Sequence, residues 1–191
     1  TRASVFGGPS GGEARLVVLT AKHAEMGTRL ADLMDAVRDL PKVRLVIKPH
    51  PAETPGAYAD VAAGAPNVSI ADARADLARL LAAADAVVTM NSTVAIDGLV
   101  LGIPALVVGR PTNLSPFVDA GVMAGADGVD AIRAGLVSVL YDAGVRQSLA
   151  DAARRFTGRF GMRADGRAAD RTAAEILALA HASHVTPSDH A

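Results

Sequence analysis

The stretch Ala84-Asp85-Ala86-Val87-Val88-Thr89-Met90-Asn91-Ser92-Thr93-Val94-Ala95-Ile96-Asp97-Gly98-Leu99-Val100-Leu101-Gly102-Ile103-Pro104-Ala105-Leu106-Val107-Val108-Gly109-Arg110 decides how the chain is read. Ala86 to Met90 is an apolar run short enough for a buried parallel strand. Val94 to Leu101 places apolar residues at Val94, Ile96, Leu99 and Leu101, with Gly102 as a stop and Pro104 just beyond, which predicts a short helix. Ala105 to Val108 predicts a second buried strand. Between the first strand and the helix stand Asn91, Ser92 and Thr93, residue types that cap helices well. A strand running into a helix start aims backbone N–H groups and a positive dipole end at one point. The Ser92 and Thr93 hydroxyls add donors there. The stretch therefore reads either as a phosphate seat or as plain capping of a structural helix, and these residues alone do not choose.

Working outward, the same alternation recurs on both sides. Towards the N-terminus, Arg15 to Leu19 predicts a first strand that ends in Thr20-Ala21-Lys22-His23. Met26 to Leu40 carries a helical apolar pattern closed by Pro41. Val43 to Ile47 predicts a second strand running into Lys48-Pro49-His50-Pro51, where two prolines hold the turn around the histidine stiff. Pro55 to Gly64 reads as a loop with a short helix, Asn67 to Ile70 as a third strand, and Asp76 to Ala84 as a helix. Towards the C-terminus, a polar loop from Pro111 to Pro116 precedes a helical turn at Phe117 to Ala120. Gly121 to Met123 is expected to form a minor sixth strand. Helices are expected over Val129–Tyr141, Gln147–Phe160 and Arg167–His181. The Gly- and Ser-rich residues 1–14 read as a linker or flexible arm, residues 15–182 as one domain, and residues 183–191 as a frayed tail.

Strands alternating with helices predict an α/β fold: a Rossmann-like, doubly wound parallel sheet with both faces covered. The commonest order for such a sheet is 3-2-1-4-5-6, and ligands sit outside the carboxyl ends of the strands at the switch point. In that order the ends of strands one, two and four share one edge. That edge would gather Thr20, Lys22 and His23, then Lys48 and His50, then Asn91, Ser92 and Thr93. The coincidence of three polar clusters favours the phosphate seat. Asp97, in or just past the first helical turn, is placed to accept from sugar hydroxyls, or simply carries a charge favourable near a helix start. Arg110 ends the fifth strand on the same rim. Lys22 and Lys48 are candidate phosphate partners, or ordinary surface lysines.

Composition narrows the classes. The chain has 191 residues, half of them hydrophobic, and a formal net charge of -1. That balance gives no reason to expect nucleic acid as a partner. There is no cysteine, hence no disulfide framework and no thiolate metal site, which suits a reducing cytoplasm. No apolar run reaches the length of a membrane span. The chain begins at Thr1, without a signal-peptide pattern, and reads as a processed chain or, in preference, as a piece of a longer protein. The first strand–helix turn is not Gly-x-Gly-x-x-Gly, and no Gly-x-x-x-x-Gly-Lys-Ser/Thr occurs, so a dinucleotide site and a Walker-type NTPase are both disfavoured. No His/Asp/Glu cluster has metal-ligand spacing, no Gly-x-Ser-x-Gly elbow is present, and no residue is assigned as catalytic.

Four segments together resemble the C-terminal, nucleotide-binding half of GT-B-fold enzymes: UDP-N-acetylglucosamine 2-epimerases and the capsule and teichoic-acid transferases. Val17 to Gly27 is similar to that family's first strand and its end. Ile47 to Pro51 is similar to the His-Pro motif of bacterial sialyl, Kdo and glycerophosphate transferases. Ala84 to Val108 is similar to the Asp-Ser-Gly-Gly or Ser-Ser/Ser-Thr segment, with its acidic residue and Leu-Gly-x-Pro. Asp165 to Leu177 is similar to the closing Asp-Gly-x-Ala-x-x-Arg helix. The resemblance spans roughly residues 15–180. It implies a single GT-B half in which Ser92 and Thr93 bind the phosphates of a nucleotide-activated sugar linked to CMP, CDP or UDP. Asp97 would hold the ribose and His50 would contact the phosphate. No cofactor beyond that substrate is implied. Epimerases carry two glycines where this chain has Thr93-Val94, and their acidic residue and arginine after the fifth strand are not reproduced in 110–116. The Ser-Thr and His-Pro forms favour a glycosyl or glycerophosphate transferase of surface polysaccharide synthesis over an epimerase-like domain. A non-catalytic nucleotide-binding module is the alternative from another class. The resemblance also implies a second, N-terminal half carrying the acceptor site, and cytoplasmic work that in a full-length protein extends to the membrane face.

Overall fold

The valine-rich runs do become strands, and they lie side by side. The computed structural model describes residues 14–183 apart from 41 and 55, so the expected arm and tail fall almost wholly outside the described residues. Six strands, β1 (Arg15–Leu19), β2 (Val43–Ile47), β3 (Val68–Ile70), β4 (Ala86–Thr89), β5 (Ala105–Val108) and β6 (Ala124–Ala126), form one sheet. Their order is β3-β2-β1-β4-β5-β6. All five pairings are parallel. The register sets Leu19 beside Ile47 and beside Val88, so the carboxyl ends of β1, β2 and β4 finish level. Those are the two strands on either side of the switch point and one neighbour, the arrangement that leaves a crevice at that edge.

Side chains alternate across a strand, and the four central strands β1, β2, β4 and β5 are buried on both faces, as an all-parallel sheet requires, while the edge strands β3 and β6 are partly exposed. Val17 and Leu19 of β1 pack on one face with Leu45 and Ile47, beneath Leu33 and Val37 of α2 (Thr28–Arg38) and Ile132 and Leu136 of α7 (Val129–Tyr141). Leu16 and Val18 face the other way with Val46, against Leu80 of α4 (Leu77–Ala83). Val87 and Val107 on that second face meet Ala95 and Leu99 of α5 (Val94–Val100), and Ala152 and Ala153 of α8 (Ala143–Arg159). Gly98 lets α5 lie close: a Cβ there would stand 3.4 Å from Val87 Cγ2.

Several expected boundaries move. The helix expected from Met26 is two pieces, α1 (His23–Met26) and α2, because Gly27 turns the chain at φ 49°. The loop helix is α3 (Ala59–Ala62). The turn expected at Phe117 is α6 (Ser115–Asp119). The sixth strand is not Gly121–Met123. Val122 and Met123 both donate their N–H to Phe117 O, closing the turn after α6, and the ladder bonds go to Ala124–Ala126 instead. Helix α8 starts four residues before Gln147, because Asp142 caps it by accepting from the Val145 N–H at 2.9 Å. The last helix, α9 (Ala168–Ser183), leaves Ile176, Leu177 and Leu179 exposed.

Candidate functional site

At the carboxyl edge of β1, β2 and β4 lies a cleft of about 600 Å³. Seven of the ten residues singled out from the sequence line it: Thr20, Lys22, Lys48, His50, Asn91, Ser92 and Thr93. His23, Asp97 and Arg110 do not. The His23 ring packs edge-on against Tyr58 at 5.1 Å. Asp97 sits exposed on α5, one turn beyond Thr93. Arg110 pairs with Asp119 at 3.2 Å. Three polar lining residues were not anticipated from the sequence, Glu25, Arg74 and Asn113. Asn113 is tied to Asn91, donating its side-chain Nδ2–H to the Asn91 carbonyl at 3.1 Å. It belongs to the polar loop after β5, which signalled exposure but not which residue turns inward.

The floor of the cleft is built by threonines. Thr89, fully buried at the end of β4, donates its hydroxyl to the Thr20 carbonyl at 2.7 Å and accepts the Ser92 N–H at 3.1 Å. One side chain thus ties the end of β1 to the turn that opens α5. Ser92 Oγ, one residue before the N-cap, accepts the Val94 N–H at 3.3 Å and so braces the start of α5 much as a cap does. Thr93 stands at the N-cap itself, and its hydroxyl makes no capping bond. Thr20 Oγ1 is buried and has no hydrogen-bond partner among the described residues. A buried hydroxyl left unsatisfied costs about 1–3 kcal/mol, and few native groups are left so.

The cations divide. Lys48, though a cleft residue, is itself buried, and its ammonium donates to the carbonyls of Pro49 at 3.0 Å and Ala73 at 2.6 Å. Two of its three donors hold the loop after β3 against the end of β2. Lys22 lies 3.5 Å from Glu25, at the rim. The Arg74 backbone N–H is anchored by Asp72 at 2.6 Å, which presents its side chain at the cleft. His50 accepts the Ala52 N–H on Nδ1 at 3.1 Å. A neutral imidazole that accepts on Nδ1 carries its proton on Nε2 and is a donor there.

A carboxylate organises the His-Pro turn. Glu53 accepts the His50 N–H at 2.7 Å and the His23 N–H at 2.6 Å. The Tyr58 hydroxyl donates to Ala21 O at 2.7 Å and stands 3.4–3.5 Å from the Glu53 oxygens. Burial, then the charge of Glu53 beside it, pushes the Tyr58 phenol well above its ordinary range, so it stays a donor. Among the described residues no group of three or more His, Asp or Glu side chains is placed to hold a metal ion. No helix of the described residues is long and apolar enough to cross a membrane.

The comparisons agree with this architecture. Residues 22–116 match the sequence profile of the family described as capsule polysaccharide biosynthesis protein. No curated protein matches the chain. Among solved structures, the glycotransferase of kitacinnamycin is 25% identical, with a TM-score of 0.61 over 87% of this chain and 44% of its own. S. aureus MnaA, in a co-structure with UDP, is 17% identical with a TM-score of 0.69, over 94% of this chain and 50% of its own. The UDP-GlcNAc 2-epimerase from Neisseria meningitidis, bound to UDP-GlcNAc, is 13% identical with a TM-score of 0.61, over 82% and 46%. The chain thus spans about half the length of the structures it matches. It is a Rossmann-like α/β domain with the fold of one half of the GT-B glycosyltransferases and UDP-GlcNAc 2-epimerases, similar over residues 22–116 to capsule polysaccharide biosynthesis proteins.

Proposed function

We propose that this domain binds the nucleotide end of an activated sugar, or of an activated glycerol phosphate, as the donor half of a GT-B-type transferase in surface polysaccharide synthesis. One observation carries the reading. Thr20, whose hydroxyl is buried and without a hydrogen-bond partner among the described residues, lines the same cleft as Ser92, Thr93 and His50, at the switch point of the sheet. Such a group is satisfied when a ligand brings it a partner. Phosphate oxygens would take donors from Thr20, Thr93 and His50 Nε2, with Arg74 and Lys22 supplying charge at the rim. Aimed at the leaving nucleotide, these donors stabilise the negative charge that develops as the sugar bond breaks. Asp97, one turn along α5, would accept from ribose hydroxyls reaching past the cleft. The acceptor site and the base that activates it would lie on a second half. That work would fall in the cytoplasm, or at its membrane face in a longer protein.

An epimerase-like role uses the same seat, and the likeness in fold to the UDP-GlcNAc 2-epimerase from Neisseria meningitidis, bound to UDP-GlcNAc, supports it as the second reading. Thr93-Val94 in place of two glycines favours the transferase. Calorimetric titration of the purified chain with CMP, CDP, UDP and ADP tests the nucleotide seat. A pyrimidine nucleotide should bind in preference to ADP. Asp97→Ala should weaken UDP by about 1 kcal/mol, the net scale of one hydrogen bond, and leave inorganic pyrophosphate unchanged. No binding of any nucleotide by the folded chain would overturn the reading. The isolated chain should show no sugar transfer, and measurable turnover without a partner protein would contradict the assignment of the acceptor site to another half.

A further inference from the structure

The His50 turn and the end of β1 are separated by thirty residues of chain, yet one side chain outside the cleft lining serves both. Glu53 takes the His23 N–H on Oε1 at 2.6 Å and the His50 N–H on Oε2 at 2.7 Å. Neither distance is that of a loose surface contact; both are at the short, charge-assisted end for N–H donors. The Tyr58 hydroxyl, fixed on Ala21 O, closes the third side. Within the same turn the Ala52 N–H occupies His50 Nδ1. The imidazole is therefore held by its own backbone turn, and that turn is held by Glu53.

We propose that Glu53 is the positioning residue of the cleft: its carboxylate locks the His50 turn to the end of β1 and so presents His50 as an Nε2–H donor to a phosphate of the bound nucleotide. The second clause rests on the nucleotide reading above; the lock itself does not. A carboxylate suits the task because both of its oxygens accept and neither donates. Glutamine keeps the length and the shape but turns one acceptor into an NH2 group, which faces an N–H it cannot serve. Glu53 acts through His50, so removing either should forfeit the same interaction, and removing both should cost no more than removing one.

The test uses the isotope-labelled full chain, with UDP as the probe. In the unmodified protein, scalar couplings across hydrogen bonds should connect the His23 and His50 amide nitrogens to one carbon, Glu53 Cδ. The His50 ring should show Nδ1 as the unprotonated nitrogen of the neutral form. In Glu53→Gln that preference should give way to a mixture of the two tautomers. The UDP affinity of Glu53→Gln and of His50→Ala should each fall about tenfold, the scale of one hydrogen bond to a charged group. The double variant should match the singles. Losses that multiply to about a hundredfold, or an unchanged His50 tautomer in Glu53→Gln, would overturn the proposal. So would absent couplings while both amide signals are visible, a result that needs no variant to fold. A chain that shows both couplings but binds none of CMP, CDP and UDP upholds the lock and overturns the phosphate role of His50 together with the nucleotide seat; if CMP or CDP binds where UDP does not, that nucleotide serves as the probe.

Discussion

The two edges of the sheet carry clefts of similar size and opposite character. The carboxyl-edge cleft measures about 600 Å³ and the amino-edge cleft about 510 Å³. Each has basic side chains in its wall. At the amino edge those charges are engaged. Arg15 pairs with the buried Asp85 at 3.0 Å and lies over the Tyr141 ring at 5.9 Å, and Arg146 donates to the Val139 carbonyl at 2.7 Å. Asp85 in turn accepts the Leu16 N–H at 2.8 Å. At the carboxyl edge, Thr20 Oγ1 lacks a partner among the described residues, the Thr93 hydroxyl makes no capping bond and His50 holds out a ring N–H. Volume and charge are alike, so neither marks the site. The polar groups left open do. Loops at the carboxyl ends of parallel strands are where a doubly wound sheet leaves such groups at a crevice, whereas the amino ends are closed by the fold's own pairs.

That contrast can be broken most forcefully at Asp85. Asp85→Ala strands the Leu16 N–H and the Arg15 charge, and should cost about 3 kcal/mol of folding stability in urea melts. The folded fraction should bind UDP as before. A parallel loss of UDP affinity would tie the amino edge to function and dissolve the comparison. Next in size is Ser92→Ala at the other edge. It should lower UDP affinity by about 2 kcal/mol if the hydroxyl serves a phosphate, and lower stability by about 1 kcal/mol through the lost bond to the Val94 N–H. Unchanged affinity with a lower melting temperature would reduce Ser92 to a cap. Thr20→Val should act with the opposite sign on the two properties. Removing an unsatisfied buried hydroxyl should leave stability equal or up by about 1 kcal/mol, while UDP affinity falls about tenfold. A destabilised variant would show that the hydroxyl already has a partner in the free protein.

The smallest effect should come from a region that belongs to neither edge. Asp165 accepts from the Arg171 guanidinium at 2.7–2.9 Å and from the Arg167 N–H at 3.0 Å, and these hold its carboxyl below the ordinary carboxylate range. The folded-state value is depressed, so whatever the pair contributes to α9 is present above the ordinary Asp range near about pH 4 and is lost as pH falls through the depressed value. The Cα shifts of residues 168–183 should therefore move toward coil on acidification, and Arg171→Ala should abolish that step while leaving UDP binding untouched.

The fold was legible where burial dictates composition. Strands buried on both faces must be apolar and β-branched, so Val17-Val18, Val46 and Val87-Val88 announced themselves, and the alternation with helices implied the order. The sixth strand was not legible. Gly125 lies against Val118, whose Cγ1 would meet a Cβ at 2.7 Å. That strand must be small, and Ala-Gly-Ala carries no strand signature, whereas Val122 and Met123 look like a strand and are turn residues in the core. The site was legible as a list of strand ends, since polar clusters after valine runs can only lie at the sheet edge. Partners made through space were not. Lys48 reads the same in sequence whether it faces a phosphate or two carbonyls. Thr89, the residue that ties β1 to the Ser92 turn, is an inconspicuous end to an apolar run. Glu53 stands three residues past His50 with nothing in the spacing to reveal that it also holds His23. Ile176, Leu177 and Leu179 show the reverse case, a helical apolar pattern that the described residues leave exposed.

Crystals of the chain soaked with UDP would test the central claim most directly. The diphosphate is expected against Thr20, Ser92 and Thr93, within hydrogen-bond distance of Thr20 Oγ1. Nucleotide density lodged instead at the amino edge, among Arg15, Tyr141 and Arg146, or a diphosphate in the carboxyl cleft that leaves Thr20 Oγ1 without a partner, would contradict it.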